Sequence, residues 1–251
     1  VASAFVAPAF AADVTVSGES EMQYVSNTGS QDTATNADNL VLVTATEEVN
    51  GVTVSTTIIM DQPDVTNGTP SASDGSTLSL SANGVTLAMG DVAGAMDAVG
   101  DYSDMAPAYG GFGADGSDHS YLLTLPTMNG ITIYASMSPQ GGAFDGATSD
   151  STAFGAKFGF TGGEVYFATQ EDTDSKWNSY GAKYSVQGLT LAFEKGADDA
   201  GSSADIKYSG VAAKYKMGDV VIGAEAQEVK TDGAAASTDD TIAFIEYNLG
   251  S

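Results

Sequence analysis

Val14-Thr15-Val16-Ser17-Gly18-Glu19-Ser20-Glu21-Met22-Gln23-Tyr24 is the stretch that decides the architecture, because its chemistry alternates almost residue by residue. An extended chain turns successive side chains to opposite faces. Val14, Val16, Met22 and Tyr24 therefore share one face, while Thr15, Ser17, Glu19, Glu21 and Gln23 share the other. The period of two returns further along. Ile131, Ile133, Ala135 and Met137 oppose Thr132, Tyr134 and Ser136; Phe154, Ala156, Phe158 and Phe160 oppose Gly155, Lys157 and Gly159. Leu189, Leu191 and Phe193 oppose Thr190, Ala192 and Glu194, and Val220, Ile222, Ala224 and Ala226 oppose Val221, Gly223, Glu225 and Gln227. Such alternation signals strands with one apolar and one polar face.

Fourteen strands are predicted, near 13–25, 39–48, 51–61, 75–82, 84–91, 119–127, 130–138, 151–160, 163–170, 176–187, 188–195, 204–216, 218–229 and 239–249. Short turns follow each even strand through the twelfth, at Val49-Asn50-Gly51, Asn83-Gly84, Asn129-Gly130, Gly162-Gly163, Gln187-Gly188 and Met217-Gly218-Asp219. Gly and Asn supply the positive φ that tight hairpins demand. Long polar connections such as Ser26–Asp38, Gln62–Asp74 and Pro139–Asp150 follow the odd strands. Short turns at one end and long loops at the other are the layout of an outer-membrane barrel. The expected fold is all-β, an antiparallel transmembrane β-barrel. Two places fit poorly: Leu40–Val43 is apolar on both faces, which suggests a subunit contact, and the alternation slips at Ser209-Gly210 as a β-bulge would cause.

Composition narrows the function classes. The 251 residues carry 33 acidic groups against 8 lysines and no arginine, a formal charge of -25. That excludes nucleic acid, which needs a basic patch, and argues against docking on an anionic membrane surface. At 42% hydrophobic residues the chain is too apolar for acidic disorder. The absence of cysteine removes disulfides and thiolate metal sites. One histidine, His119, is too few for most catalytic templates, so no enzyme is expected.

Residues 1–11 read as a signal-peptide remnant: Val1–Ala12 is apolar and small, and Ala9-Phe10-Ala11 has the small-x-small form of a cleavage site. A disordered apolar tail is the alternative. Export follows from the first reading, with 12–251 as the barrel domain. No later run reaches the roughly 18 apolar residues of a transmembrane helix.

The longest connection, Val92–Asp118, follows the fifth strand and includes Asp97, Gly100-Asp101-Tyr102-Ser103-Asp104-Met105 and Pro107-Ala108-Tyr109-Gly110-Gly111. It resembles the third loop of trimeric, sixteen-stranded general bacterial porins, particularly the alphaproteobacterial branch. In that family this loop folds inward and sets the narrowest point of the pore. Pro107-Ala108-Tyr109-Gly110-Gly111 is similar to a Pro-Glu-Phe-Gly-Gly sequence of enteric members, with Ala108 where a glutamate is expected. Ile245-Glu246-Tyr247-Asn248-Leu249-Gly250 is similar to the family's penultimate turn, so about fourteen of sixteen strands are expected, with the last hairpin missing.

The resemblance implies a homotrimer in the outer membrane of a Gram-negative bacterium, in contact with lipid and lipopolysaccharide, passing small hydrophilic solutes and ions by passive diffusion. A barrel in lipid turns its polar face to water. Glu19, Glu21, Lys157, Lys183, Glu194, Lys214, Lys216, Glu225 and Glu246 are then pore-wall residues, and Asp97, Asp101 and Asp104 are constriction residues. Loop carboxylates facing wall ammonium groups would set up a transverse field, and the acidic excess would favour cations. The bland reading makes those aspartates turn formers. No cofactor is expected. Glu171-Asp172-Thr173-Asp174 has the oxygen ligands to bind Ca²⁺ loosely in an external loop, or is simply solvated. The rival class is a secreted or surface-attached acidic β-rich adhesin; its solenoid form would need a short fixed repeat, and none is found.

Overall fold

The computed structural model describes residues 13–25, 33–62, 76–100, 102, 105, 119–139, 150–199, 201, 204–234 and 237–247. The chain divides into two compact units, Val1–Ala82 and Asn83–Ser251. All fourteen predicted strands form. In the first unit β1 (Asp13–Val25), β2 (Thr33–Val49), β3 (Val52–Gln62) and β4 (Ser76–Ala82) pair antiparallel in chain order. β2 begins earlier than the alternation indicates, because pairing with β1 uses the backbone and requires no apolar face.

The second unit opens with β5 (Val85–Val92) and one helical turn, α1 (Ala95–Ala98). Nine strands follow: β6 (His119–Thr124), β7 (Ile131–Ser138), β8 (Ser151–Phe160), β9 (Gly163–Asp172), β10 (Lys176–Val186), β11 (Leu189–Asp199), β12 (Ile206–Met217), β13 (Val220–Thr231) and β14 (Thr238–Tyr247). Each pairs antiparallel with the next. β6 is shorter than expected, ending before Pro126, which has no N–H to give a ladder.

The short turns carry the backbone that their residues dictate. Asn50, Asn83, Asn129 and Gln187 have φ of 53°, 52°, 52° and 49°, each followed by a glycine at 80–85°. Two consecutive positive φ values match the right-handed twist of the flanking strands.

The predicted bulge at Ser209-Gly210 is not there. β11 and β12 keep register through Glu194↔Gly210, Lys195↔Ser209 and Gly196↔Tyr208. The slip in alternation reflects small residues, not a shift: Gly210 and Ala212 sit on the same face as Tyr208, whose ring fills the space above Gly196. Register does shift at Met22/Gln23 in β1 and between Met89 and Val92 in β5. The second shift includes Gly90 at φ 114° and turns the chain out of β5 toward α1.

The faces of each unit differ chemically. In the first unit Val41, Val43, Val54 and Ile58 share one face, and Thr44, Thr46, Ser55 and Thr57 the other. Thr44 and Thr57 hydroxyls lie 3.0 Å apart, as do those of Thr46 and Ser55. The Leu40–Val43 run stays apolar on both faces: Leu42 pairs with Ile59 on the hydroxyl face, and Val43 with Ile58 on the apolar face. In the second unit one face bears α1 and the other exposes large apolar side chains, among them Phe158, Tyr184, Leu191, Tyr215 and Ile245. Phe193 on the exposed face and Glu194 at 0% exposure on the other show the contrast within one strand.

Candidate functional site

Downstream of β5 the chain makes a single helical turn closed by Ala98 N–H to Gly94 O (2.8 Å) and Gly100 N–H to Asp97 O (2.9 Å). A helix this short is not stable by itself; packing holds it. Ala95, Met96, Val99 and Tyr102 are at most 2% exposed and form the apolar cluster between loop and sheet. The approach to β8 depends on Gly155. A Cβ there would sit 2.5 Å from Ala95 O and 2.6 Å from a Val99 methyl.

Side chains from four separate strands receive this segment. Ser136 Oγ on β7 accepts from Ala95 N–H at 2.7 Å. Glu194 on β11 accepts twice, from Tyr102 N–H at 3.0 Å and from the Tyr166 hydroxyl of β9 at 2.5 Å. Glu225 on β13 accepts from Met105 N–H at 2.8 Å. A carboxylate shielded from water makes stronger hydrogen bonds than a neutral acceptor. The Tyr102 ring meets Tyr166 edge-on at 4.8 Å, and Lys183 Nζ lies 4.5 Å above its centroid. Lys183 also pairs with Glu164 at 3.0 Å. Burial, reinforced by the Glu164 carboxylate nearby, pushes the Tyr102 phenol well above the ordinary tyrosine range, so it stays neutral.

The sequence-derived wall residues fall as follows. Lys157, Lys183, Glu194, Lys214, Lys216, Glu225 and Glu246 all lie on the α1-bearing face by strand parity and register. Glu19 and Glu21 lie in β1, and their side chains are outside the described residues. Asp97 lies in α1; Asp101 and Asp104 fall outside the described residues, as does the remainder of the loop, 106–118. The sequence reading missed Tyr102, Ser136, Glu164 and Tyr166. Glu164 and Tyr166 were legible as the polar-face partners of Val165 and Phe167, whereas nothing local marks Tyr102. Among the described residues no group of three or more His, Asp or Glu side chains is placed to hold a metal ion. Asp172 of the acidic β9–β10 turn accepts from Ser175 Oγ at 3.4 Å.

A family model described as Gram-negative porin matches residues 1–251. The chain belongs to the Gram-negative porin family. This porin is similar in fold to a tryptophan variant of Rhodopseudomonas blastica porin, at 20% identity and TM-score 0.71, over 95% of this chain and 91% of that one. It is similar also to a loop-deletion mutant of OmpT, an outer membrane protein of Vibrio cholerae, at 12% identity and TM-score 0.71, over 94% and 89% of the two chains. No curated protein sequence matches. The fold is thus the antiparallel transmembrane β-barrel of porins, and the protein resides in the outer membrane. Family membership sets aside the adhesin reading. It also gives the exposed apolar face its physical meaning: that face meets hydrocarbon, which strands can enter only when their backbone is fully paired.

Proposed function

We propose that this porin is a water-filled, cation-selective pore for passive diffusion of small hydrophilic solutes, that it works as a homotrimer, and that the segment following β5 narrows it. The carrying observation is the seating of that segment. Two buried carboxylates, Glu194 and Glu225, take its backbone N–H groups on the polar face of the sheet. A loop fastened at several points to the polar face of a porin barrel restricts the water path. No bond is made or broken in such a device, and its work is exclusion by size and charge.

Selectivity follows from the charge inventory. With 33 acidic residues, 8 lysines and no arginine, the fixed charge favours cations. Every lysine lies beyond Ala156. In planar bilayers under a salt gradient, the reversal potential is expected to show cation preference that weakens with ionic strength, since the Debye length falls from ~30 Å at 0.01 M to ~3 Å at 1 M. Replacing Asp97, Asp101 and Asp104 with Asn removes three charges at constant size and is expected to reduce that preference. Unchanged selectivity would make these aspartates turn residues, and anion preference in the parent would overturn the electrostatic reading.

The trimer draws support from the difference between outer faces. Barrel surfaces in contact with lipid carry aromatic girdles. The second unit has them, with Phe158, Phe160, Tyr184, Tyr215 and Tyr247 near its short turns. Between Asp13 and Ala82 the only aromatic is Tyr24. The apolar face of the first unit is instead Val, Ile and Leu, including Val41, Ile58 and Leu78, a composition suited to packing against protein. Cross-linking in mild detergent is expected to give trimers; monomer alone at every cross-linker concentration would refute the assembly.

A further inference from the structure

The eight lysines divide without exception by face. Lys157, Lys183, Lys214 and Lys216 lie on the α1-bearing face, each in the half of its strand nearer a short turn. Lys176, Lys195, Lys207 and Lys230 lie on the opposite face, each in the half of its strand farther from its short turn. The carboxylates of the α1-bearing face complete the pattern. The cross-strand row of Tyr166, Glu194 and Asp240 divides the face, with Lys157 at the same level. Toward the long connections it carries Asp172 and Asp198 and no lysine among the described residues. Toward the short turns it carries Glu164, Glu225 and Glu246 with the remaining lysines, but Glu164 is paired with Lys183 and Glu225 accepts from Met105. The ion pairs among the described residues include neither Lys214 nor Lys216.

We infer that the α1-bearing face of the second unit is polarised from end to end, acidic toward the long connections and offset by Lys214 and Lys216 toward the short turns, so that the channel rectifies. This rests on the reading above that the α1-bearing face lines the pore. A uniformly acidic lining would select cations equally from either side. A lining whose charge changes along its length does not: one polarity drives mobile ions to accumulate inside, and the other depletes them. The effect needs a Debye length comparable to the pore, so it belongs to low salt.

The test is single-channel recording in symmetric KCl with the full chain, because each channel then has one orientation and opposite insertions do not average. The expected ratio of currents at equal and opposite voltages is about two at 0.01 M, where the Debye length is ~30 Å, falling to about one at 1 M, where it is ~3 Å. Lys214→Gln with Lys216→Gln is expected to bring the low-salt ratio toward one while cation preference is kept or raised. Lys195→Gln, on the opposite face, is expected to leave the ratio as it was. Equal currents at both polarities at 0.01 M in the parent would overturn axial polarisation and leave the channel standing. A ratio that survives loss of both lysines would overturn their part in it. Absence of any conductance would sink the pore reading itself, and this inference with it.

Discussion

Glu194→Ala and Gly155→Val should each free the segment after β5 and admit solutes that the parent excludes. The first works by loss of an acceptor. Glu194 is fully buried and serves two donors, Tyr102 N–H and the Tyr166 hydroxyl. Leaving a buried donor unsatisfied costs about 1–3 kcal/mol each, comparable to what a single helical turn can gain by docking. The second works by intrusion. A Cβ at 155 meets backbone, Ala95 O at 2.5 Å, and backbone cannot rotate away as a long side chain would. Overpacking of this kind costs about 1–3 kcal/mol, and valine is itself well suited to a strand, so β8 keeps its ladder and α1 yields. Liposome-swelling rates with a series of sugars read the outcome. The rate for the bulkiest sugars should rise several-fold in both variants, with small sugars less affected. Glu194→Gln, which keeps one acceptor oxygen, should fall between parent and Ala. Parent-like size exclusion in both variants would mean that the segment does not define the narrow point.

The second large effect concerns lipid. Leu191 and Thr190 are neighbours on β11 and face opposite ways; Leu191 is 47% exposed on the apolar face. An arginine at Leu191 would stand in hydrocarbon near the middle of an apolar band that runs from Leu189 to Phe193, before Lys195 ends it. Charged residues at that depth cost about 2–4 kcal/mol in outer-membrane barrels, against roughly 0–1 near the interfaces. A lysine at Thr190 would lie on the polar face, lose the hydroxyl contact with Ser185 at 2.9 Å and stand across from Lys214, a repulsion of at most about 1 kcal/mol. Denaturant titration of folding into phospholipid vesicles should therefore show a large loss of stability for Leu191→Arg and little for Thr190→Lys. Equal losses would mean that the two faces of β11 are not lipid and water.

What was legible in the sequence was everything carried by near neighbours. The period of two in Leu189–Glu194 fixes opposite faces by strand geometry alone, and Asn-Gly pairs state their turns because few other residues accept consecutive positive φ. Residues such as Lys157 and Lys214 could be assigned to the polar face of their strands on that basis, and the register puts both on the α1-bearing face. The bulge expected at Ser209-Gly210 failed on the same ground: small residues erase the contrast that the pattern depends on, while the backbone ladder with β11 continues regardless. The seat of the loop was beyond local reading. Tyr102 finds Glu194 92 residues away, and Met105 finds Glu225 120 residues away. Nothing in the flanking sequence of either residue encodes such a pairing. Gly155 looks like a weak point in a strand until the chain of α1 is laid across it. Strand faces and turns follow from the chain's own stereochemistry, whereas the position of the segment after β5 depends on which buried acceptors the assembled sheet brings within 3.0 Å of its N–H groups.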